Sequence, residues 1–183
     1  MKVSMLFLVM TIFVVHVEAQ KFVCKNGDVS FFSKTPVEDI DANTKVAMIL
    51  LDTSTGKVNT KMLIKLFMFK NRLMQDHFNE NYMESDKYPY AILDAKIMEP
   101  VPYYKDGSYN VTLEGFMEIH GVKKPVKING VINVKGGIIS SKSEFMVKLK
   151  DYKIDIPKIV VKSIAEEVKV TVNAVFEPFI QRR

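Results

Sequence analysis

A single cysteine, Cys24, stands in a chain of 183 residues, so neither an internal disulfide framework nor a multi-cysteine metal site can form. Histidine is almost as scarce: His16, His77 and His120 lie far apart in sequence, and no short histidine motif marks a metal site. With only 8 Gly and 7 Pro, and 48% apolar residues, the chain is neither a collagen-like fibre nor a low-complexity linker nor a disordered tail. A net charge of +5 is too small for a dedicated nucleic-acid binder, and the aromatics do not interleave with the lysines as a stacking platform would require. No Gly-x-Ser-x-Gly elbow, phosphate-cradling glycine loop or convergent carboxylate pair is evident, and no catalytic residue is assigned. Beyond the first 19 residues no apolar run is long enough to cross a bilayer.

That first stretch has a layout of its own. Lys2 precedes an uncharged run, most apolar over Met5–Val15, and Val17-Glu18-Ala19 ends it with small or β-branched residues at the two positions that matter for cleavage. We expect residues 1–19 to be a secretory signal peptide and residues 20–183 to form one domain. Export makes a lone thiol unable to staple its own chain, and Cys24 is best read as a small buried hydrophobe on the first strand.

Within the domain, strict alternation dominates. Val58, Thr60, Met62, Ile64 and Leu66 share one parity. So do Tyr109, Val111, Leu113, Gly115, Met117 and Ile119, and then Val126, Ile128, Gly130, Ile132 and Val134. Phe145, Val147 and Leu149 form another series, and Val168, Val170, Val172, Ala174 and Phe176 the last. Polar residues fill most positions between. A period of two with one wet face belongs to antiparallel strands covering a core or cavity. Turn signals at Asn26-Gly27, Asp52–Gly56, Asp106-Gly107, His120-Gly121 and Gly136-Gly137 punctuate the runs. With Asp28–Ser33, Lys45–Asp52 and Tyr88–Met98 the strands number eight or slightly more, a meander that must sandwich or close. Eight closed strands leave room for one small ligand.

Phe67–Ser85 breaks the alternation. Met74, Phe78 and Tyr82 recur at spacings of four, with polar residues mostly elsewhere, which predicts an amphipathic helix covering one opening. A second short helical or irregular piece is expected at Pro157–Glu166. His77 falls on the helix's polar side and reads as a surface residue, and His120 as a turn residue. Lys127, Lys148, Lys150 and Lys169 read as a solvated outer face.

Three stretches resemble a known family. Phe78-Asn79-Glu80-Asn81-Tyr82-Met83-Glu84-Ser85 with Lys87-Tyr88-Pro89, the hairpin from Val111 through Gly121 to Val126, and Asp151-Tyr152-Lys153-Ile154-Asp155-Ile156-Pro157 are similar, in order, to blocks of YceI-like proteins of the Bacteroidetes branch. The chain departs from the commoner family pattern before the helix end, and Leu93 replaces a usual Phe. The resemblance implies an all-β fold: an antiparallel eight-stranded lipocalin-like barrel, secreted or periplasmic, with one amphipathic helix over an opening. It also implies an apolar small-molecule partner, an isoprenoid, isoprenoid quinone or other lipid, with no other cofactor and no metal. Taking parity and resemblance together, the lining expected to meet that ligand is Phe31, Val46, Met48, Leu50, Met62, Ile64, Leu93, Leu113, Met117, Phe145, Val147, Val170, Val172 and Phe176. The competing reading is a structural or interaction module whose barrel is packed solid. A lipid-active enzyme would need two or more convergent ionisable side chains inside.

Overall fold

Each alternating run becomes a strand whose apolar parity turns inward, because only that face can leave water. The computed structural model describes residues 21–34, 39–155 and 166–180. The strands are β1 (Lys21–Ser33), β2 (Ile40–Asp52), β3 (Lys57–Leu63), the two-residue β4 (Met68–Phe69), β5 (Tyr90–Ile97), β6 (Gly107–Ile119), β7 (Val122–Lys135), β8 (Ile138–Lys148) and β9 (Glu167–Pro178). Successive neighbours pair antiparallel, and β1 hydrogen-bonds both β9 and β2, which closes the sheet. β3 pairs with β2 at Met48–Asp52 and β4 pairs with it at Ala42–Asn43, so the two form one wall broken by a 3-10 turn at Ile64–Leu66. The result is the expected closed eight-stranded antiparallel barrel, in which only the two-residue β4 ends the strand order with a single partner, β2. The signal-peptide segment and the piece at Pro157–Glu166 lie outside the described residues, except that Glu166 itself is exposed beside β9.

Two β-bulges correct the sequence reading. Asn26-Gly27 is not a turn between strands. Cys24 pairs with Ile49 and Gly27 with Ala47, so β1 carries an extra residue there and stays one strand, with Lys25 and Asn26 both turned outward. Next, Gly27 pairs with Ala47 but Val29 with Thr44, which places an extra residue in β2 at Lys45–Val46. Ala42 and Thr44 face inward before that bulge, and Ala47, Ile49 and Leu51 after it. Val46, Met48 and Leu50 therefore sit on the outer wall, the first two 52% exposed and the third 40%. One unpaired residue is enough to swap the faces of a strand.

The helical segment is also shorter than its sequence pattern. Phe67–Asn71 is not helical; α1 spans Arg72–His77 and continues as a π-helical turn over Phe78–Tyr82. Asn71 starts it, its Oδ1 accepting from the amides of Leu73 at 2.9 Å and Met74 at 3.4 Å. At the next hairpin, His120 and Gly121 both have positive φ, 52° and 70°, as the β6–β7 two-residue turn demands.

A candidate ligand cavity in the barrel

The interior divides into three packed zones. At one end Phe22, Cys24, Leu51, Ile97, Val134, Ile139 and Phe176 fill the barrel, and Val101 and Tyr103 from the β5–β6 loop pack against them. Burial holds the Tyr103 phenol neutral, its pKa pushed up to about 12. Toward the other end, beside the β6–β7 hairpin, Ile64, Met117, Val147, Tyr152 and Ile154 form a second zone, with Ile119 and Val122 packed against it. The third lies under the helix, where Val29, Ala42, Ala47 and Phe67 support Phe31, Phe69 and Phe78.

Between these zones lies a cavity of about 250 Å³. It runs from Leu51, Ile97 and Phe176 to Phe69, Met74, Phe78 and Tyr82, so it follows most of the barrel's length and ends beneath the helix. Its wall is almost wholly aliphatic and aromatic. Ser33, Thr60, Ser141 and Ser143 add hydroxyls, and Lys142 is the one charged residue among the described lining. Lys142 is itself exposed and paired with Glu144 at 3.3 Å. The Tyr82 phenol is held protonated by desolvation. No group of three or more His, Cys, Asp or Glu that could hold a metal occurs among the described residues. Such a wall can remove a long apolar chain from water but offers little chemistry to act on it.

Of the expected lining, Phe31, Met62, Ile64, Leu93, Leu113, Met117, Phe145, Val147, Val170, Val172 and Phe176 are brought together on this cavity. Val46, Met48 and Leu50 are not, because the β2 bulge turns them outward; Ile49 and Leu51 take their place. Phe67 and Phe69, which follow the 3-10 turn, line the cavity as well and belong to no alternating series. That turn ends the β3 alternation, leaving Leu66 exposed and Phe67 buried. Ile128 and Ile132 line the cavity too, and their parity series had already marked them as inward.

The helical cover is held by two different devices. Toward its middle, the Phe78 ring packs against Phe31, Phe67 and Phe69 at centroid distances of 5.4, 6.0 and 4.9 Å. After it, Met83 and Ser85 are buried, and Ser85 Oγ donates to Asn79 Oδ1 at 2.9 Å. Glu84 adds a link that no sequence motif announced. Its Oε2 lies 2.9 Å from His120 Nε2, while His120 Nδ1 lies 3.2 Å from the Tyr152 carbonyl oxygen. Tyr88 stacks edge-on against the same imidazole at 4.5 Å. His120 thus joins the end of the cover, the β6–β7 hairpin and the turn after β8. A chain-local reading of His120-Gly121 sees the turn and cannot see those three partners. His77, by contrast, is exposed as expected.

A closed antiparallel barrel with an apolar bore and a helical cover defines a lipocalin-like protein. Residues 10–176 match the YceI-like domain, and the chain belongs to that family. The fold is shared with a polyisoprenoid-binding domain from Saccharophagus degradans implicated in plant cell wall breakdown. There the TM-score is 0.73 at 12% identity, covering 88% of this chain and all of that one. BcnA of Burkholderia cenocepacia gives 0.66 at 18% identity, over 81% of this chain and 95% of its own. A YceI protein of Campylobacter jejuni gives 0.61 at 16% identity, over 81% and 90%. No curated protein sequence matches the chain significantly.

Proposed function

We propose that the barrel binds a long apolar ligand, an isoprenoid, an isoprenoid quinone or another lipid, and carries or sequesters it outside the cytoplasm. The observation that carries this reading is the cavity: its length follows the barrel and its wall is apolar almost throughout. The binding named for the Saccharophagus degradans domain supports the same ligand class. Export is supported by the Lys2, Met5–Val15 and Ala19 layout, and placement in the Bacteroidetes branch by the Phe78–Ser85 block. Each CH₂ buried contributes about 0.8 kcal/mol, so one five-carbon unit gains roughly 3–4 kcal/mol before ordering costs. Affinity then rises with chain length and depends little on polar contacts. The solid-barrel reading accounts less well for a continuous bore of this kind.

The test is thermal melting of delipidated protein with an isoprenoid quinone, alongside native mass spectrometry of protein from its own host. Ligand at a hundred times Kd stabilises by about 2.7 kcal/mol. For a chain of this length that raises Tm by about 5–10 °C. A barrel recovered empty, with a melting curve indifferent to quinones and other lipids, would sink the carrier reading and leave the structural module.

A further inference from the structure

The rim beside the helical cover carries apolar side chains that neither core nor cavity uses. Leu63 ends β3, Leu66 ends the 3-10 turn, Met68 lies in β4 and Leu73 in the first turn of α1. They are between 39% and 61% exposed, and none lines the cavity. Leu63 pairs with Tyr90, itself exposed, and Met68 with Asn43, so the strip follows the barrel's edge from β5 across β3 and β4 to the start of the cover. Water is a poor solvent for four large apolar side chains along one short rim.

The charge of the same stretch is one-sided. No Asp or Glu occurs between Leu63 and Leu73, while Lys65, Lys70 and Arg72 fall there and Lys61 stands two residues before. Lys61 lies over the Tyr90 ring at 3.9 Å, beside Leu63. Lys65 pairs with Asp86, and Lys70 with Asp41 at 3.7 Å, both on exposed side chains where water competes with the pair. Exposed apolar groups flanked by cations are what an interface between acidic headgroups and acyl chains accommodates: the apolar tips enter and the cations meet phosphates.

We propose that this rim, Leu63 to Leu73, docks the barrel onto an anionic lipid surface. Docking there would put the cover and the bore next to the bilayer from which an apolar cargo must come. Its purpose rests on the carrier reading, but its evidence, an exposed apolar and cationic rim, does not. The cover begins at this rim, since Leu73 belongs to its first turn, and neither Arg72–His77 nor Phe78–Tyr82 contains a fully buried residue.

The test is co-sedimentation of the full protein with cargo-free vesicles of phosphatidylcholine with phosphatidylglycerol, and of phosphatidylcholine alone. We expect binding to the anionic vesicles, weakened by salt. The triple variant Leu66→Ser, Met68→Ser, Leu73→Ser should bind about tenfold more weakly or worse. Because these are surface positions, its melting temperature should be close to that of the parent. Arg72→Gln is a second, structurally mild variant, expected to weaken binding about fivefold. Ile138→Ser, at the exposed start of β8, should change nothing. Binding to neither vesicle, or binding that both variants leave intact, overturns the proposal. So does a parent that fails to bind vesicles yet is a dimer by light scattering, with the triple variant a monomer, since the rim would then serve a second copy of the chain. Vesicles without cargo keep the outcomes separate: a barrel that docks but never takes up a quinone refutes the carrier reading alone.

Discussion

Truncating Phe78 should release the cover while leaving the barrel closed. Its ring touches three others, Phe31, Phe67 and Phe69, at 4.9 to 6.0 Å, and it is the helical segment's contribution to that cluster. A fully buried Phe→Ala change costs about 3–5 kcal/mol, and each aromatic pair adds about 0.5–1.5 kcal/mol beyond area. Phe78 is only half-buried, so Phe78→Ala is expected to cost about 2–3 kcal/mol. Spread over a cooperative domain of this length, that would lower Tm by about 5–10 °C. The structure argues for a local loss instead. Barrel closure is made by strand pairing that does not involve residues 72–82. Hydrogen exchange read by mass spectrometry separates the two. The amides of Gln75 and Met83, which donate to Asn71 O and Phe78 O, should lose protection, and β6 and β7 should keep theirs. Phe78→Leu should restore part of it. Unchanged exchange across residues 72–83, with Tm within about 1 °C of the parent, would refute the idea that the ring cluster holds the cover.

Three further outcomes follow from particular contacts. Gly115→Ala should fail to fold or lose more than about 3 kcal/mol, because its Cβ would lie 2.2 Å from Asp94 O and 2.5 Å from Ala95 Cα, both backbone atoms of the paired strand. Gly137→Ala, with nothing within 4 Å and a φ of 78°, should cost only about 1 kcal/mol, and urea melts compare the two. Met48→Gln should be neutral within about 0.5 kcal/mol, while Ile49→Ala costs about 2–5 kcal/mol; the reverse order would remove the β2 bulge from the account. The phenol of Tyr103 is harder to ionise folded than unfolded, so its contribution is full below pH about 10 and is lost as pH rises toward about 12. Tyr103→Phe should therefore flatten the alkaline fall in stability, with Tyr82 and Tyr152, both also raised by burial, supplying what remains.

Much of this molecule is legible in one dimension because a closed antiparallel barrel repeats one local rule. Alternation along Tyr109–Ile119, Val126–Val134 and Val168–Phe176 states which side chains leave water, and pairing of neighbours in sequence does the rest. The i, i+4 stripe of Met74, Phe78 and Tyr82 named the face of the cover in the same way, although Phe67–Asn71 proved to be a turn and a short strand. What failed was parity across an irregularity. A bulge at Lys45–Val46 changes no composition and breaks no periodicity in hydropathy, since Val46 to Leu51 is apolar on both faces. Only the partner strand shows that one residue is unpaired.

The amino-acid sequence by itself determined the strand pattern, the inward faces of β6 to β9 and the existence of an amphipathic cover, because those follow from local periodicity and the cost of wetting apolar surface. Tertiary structure decided which face of β2 lines the bore, that the interior is hollow as well as apolar, and that His120 ties Glu84 to the Tyr152 carbonyl. Those are matters of distance between residues far apart in the chain, and a cavity is set by how strands are staggered around a closed sheet, which no single strand encodes.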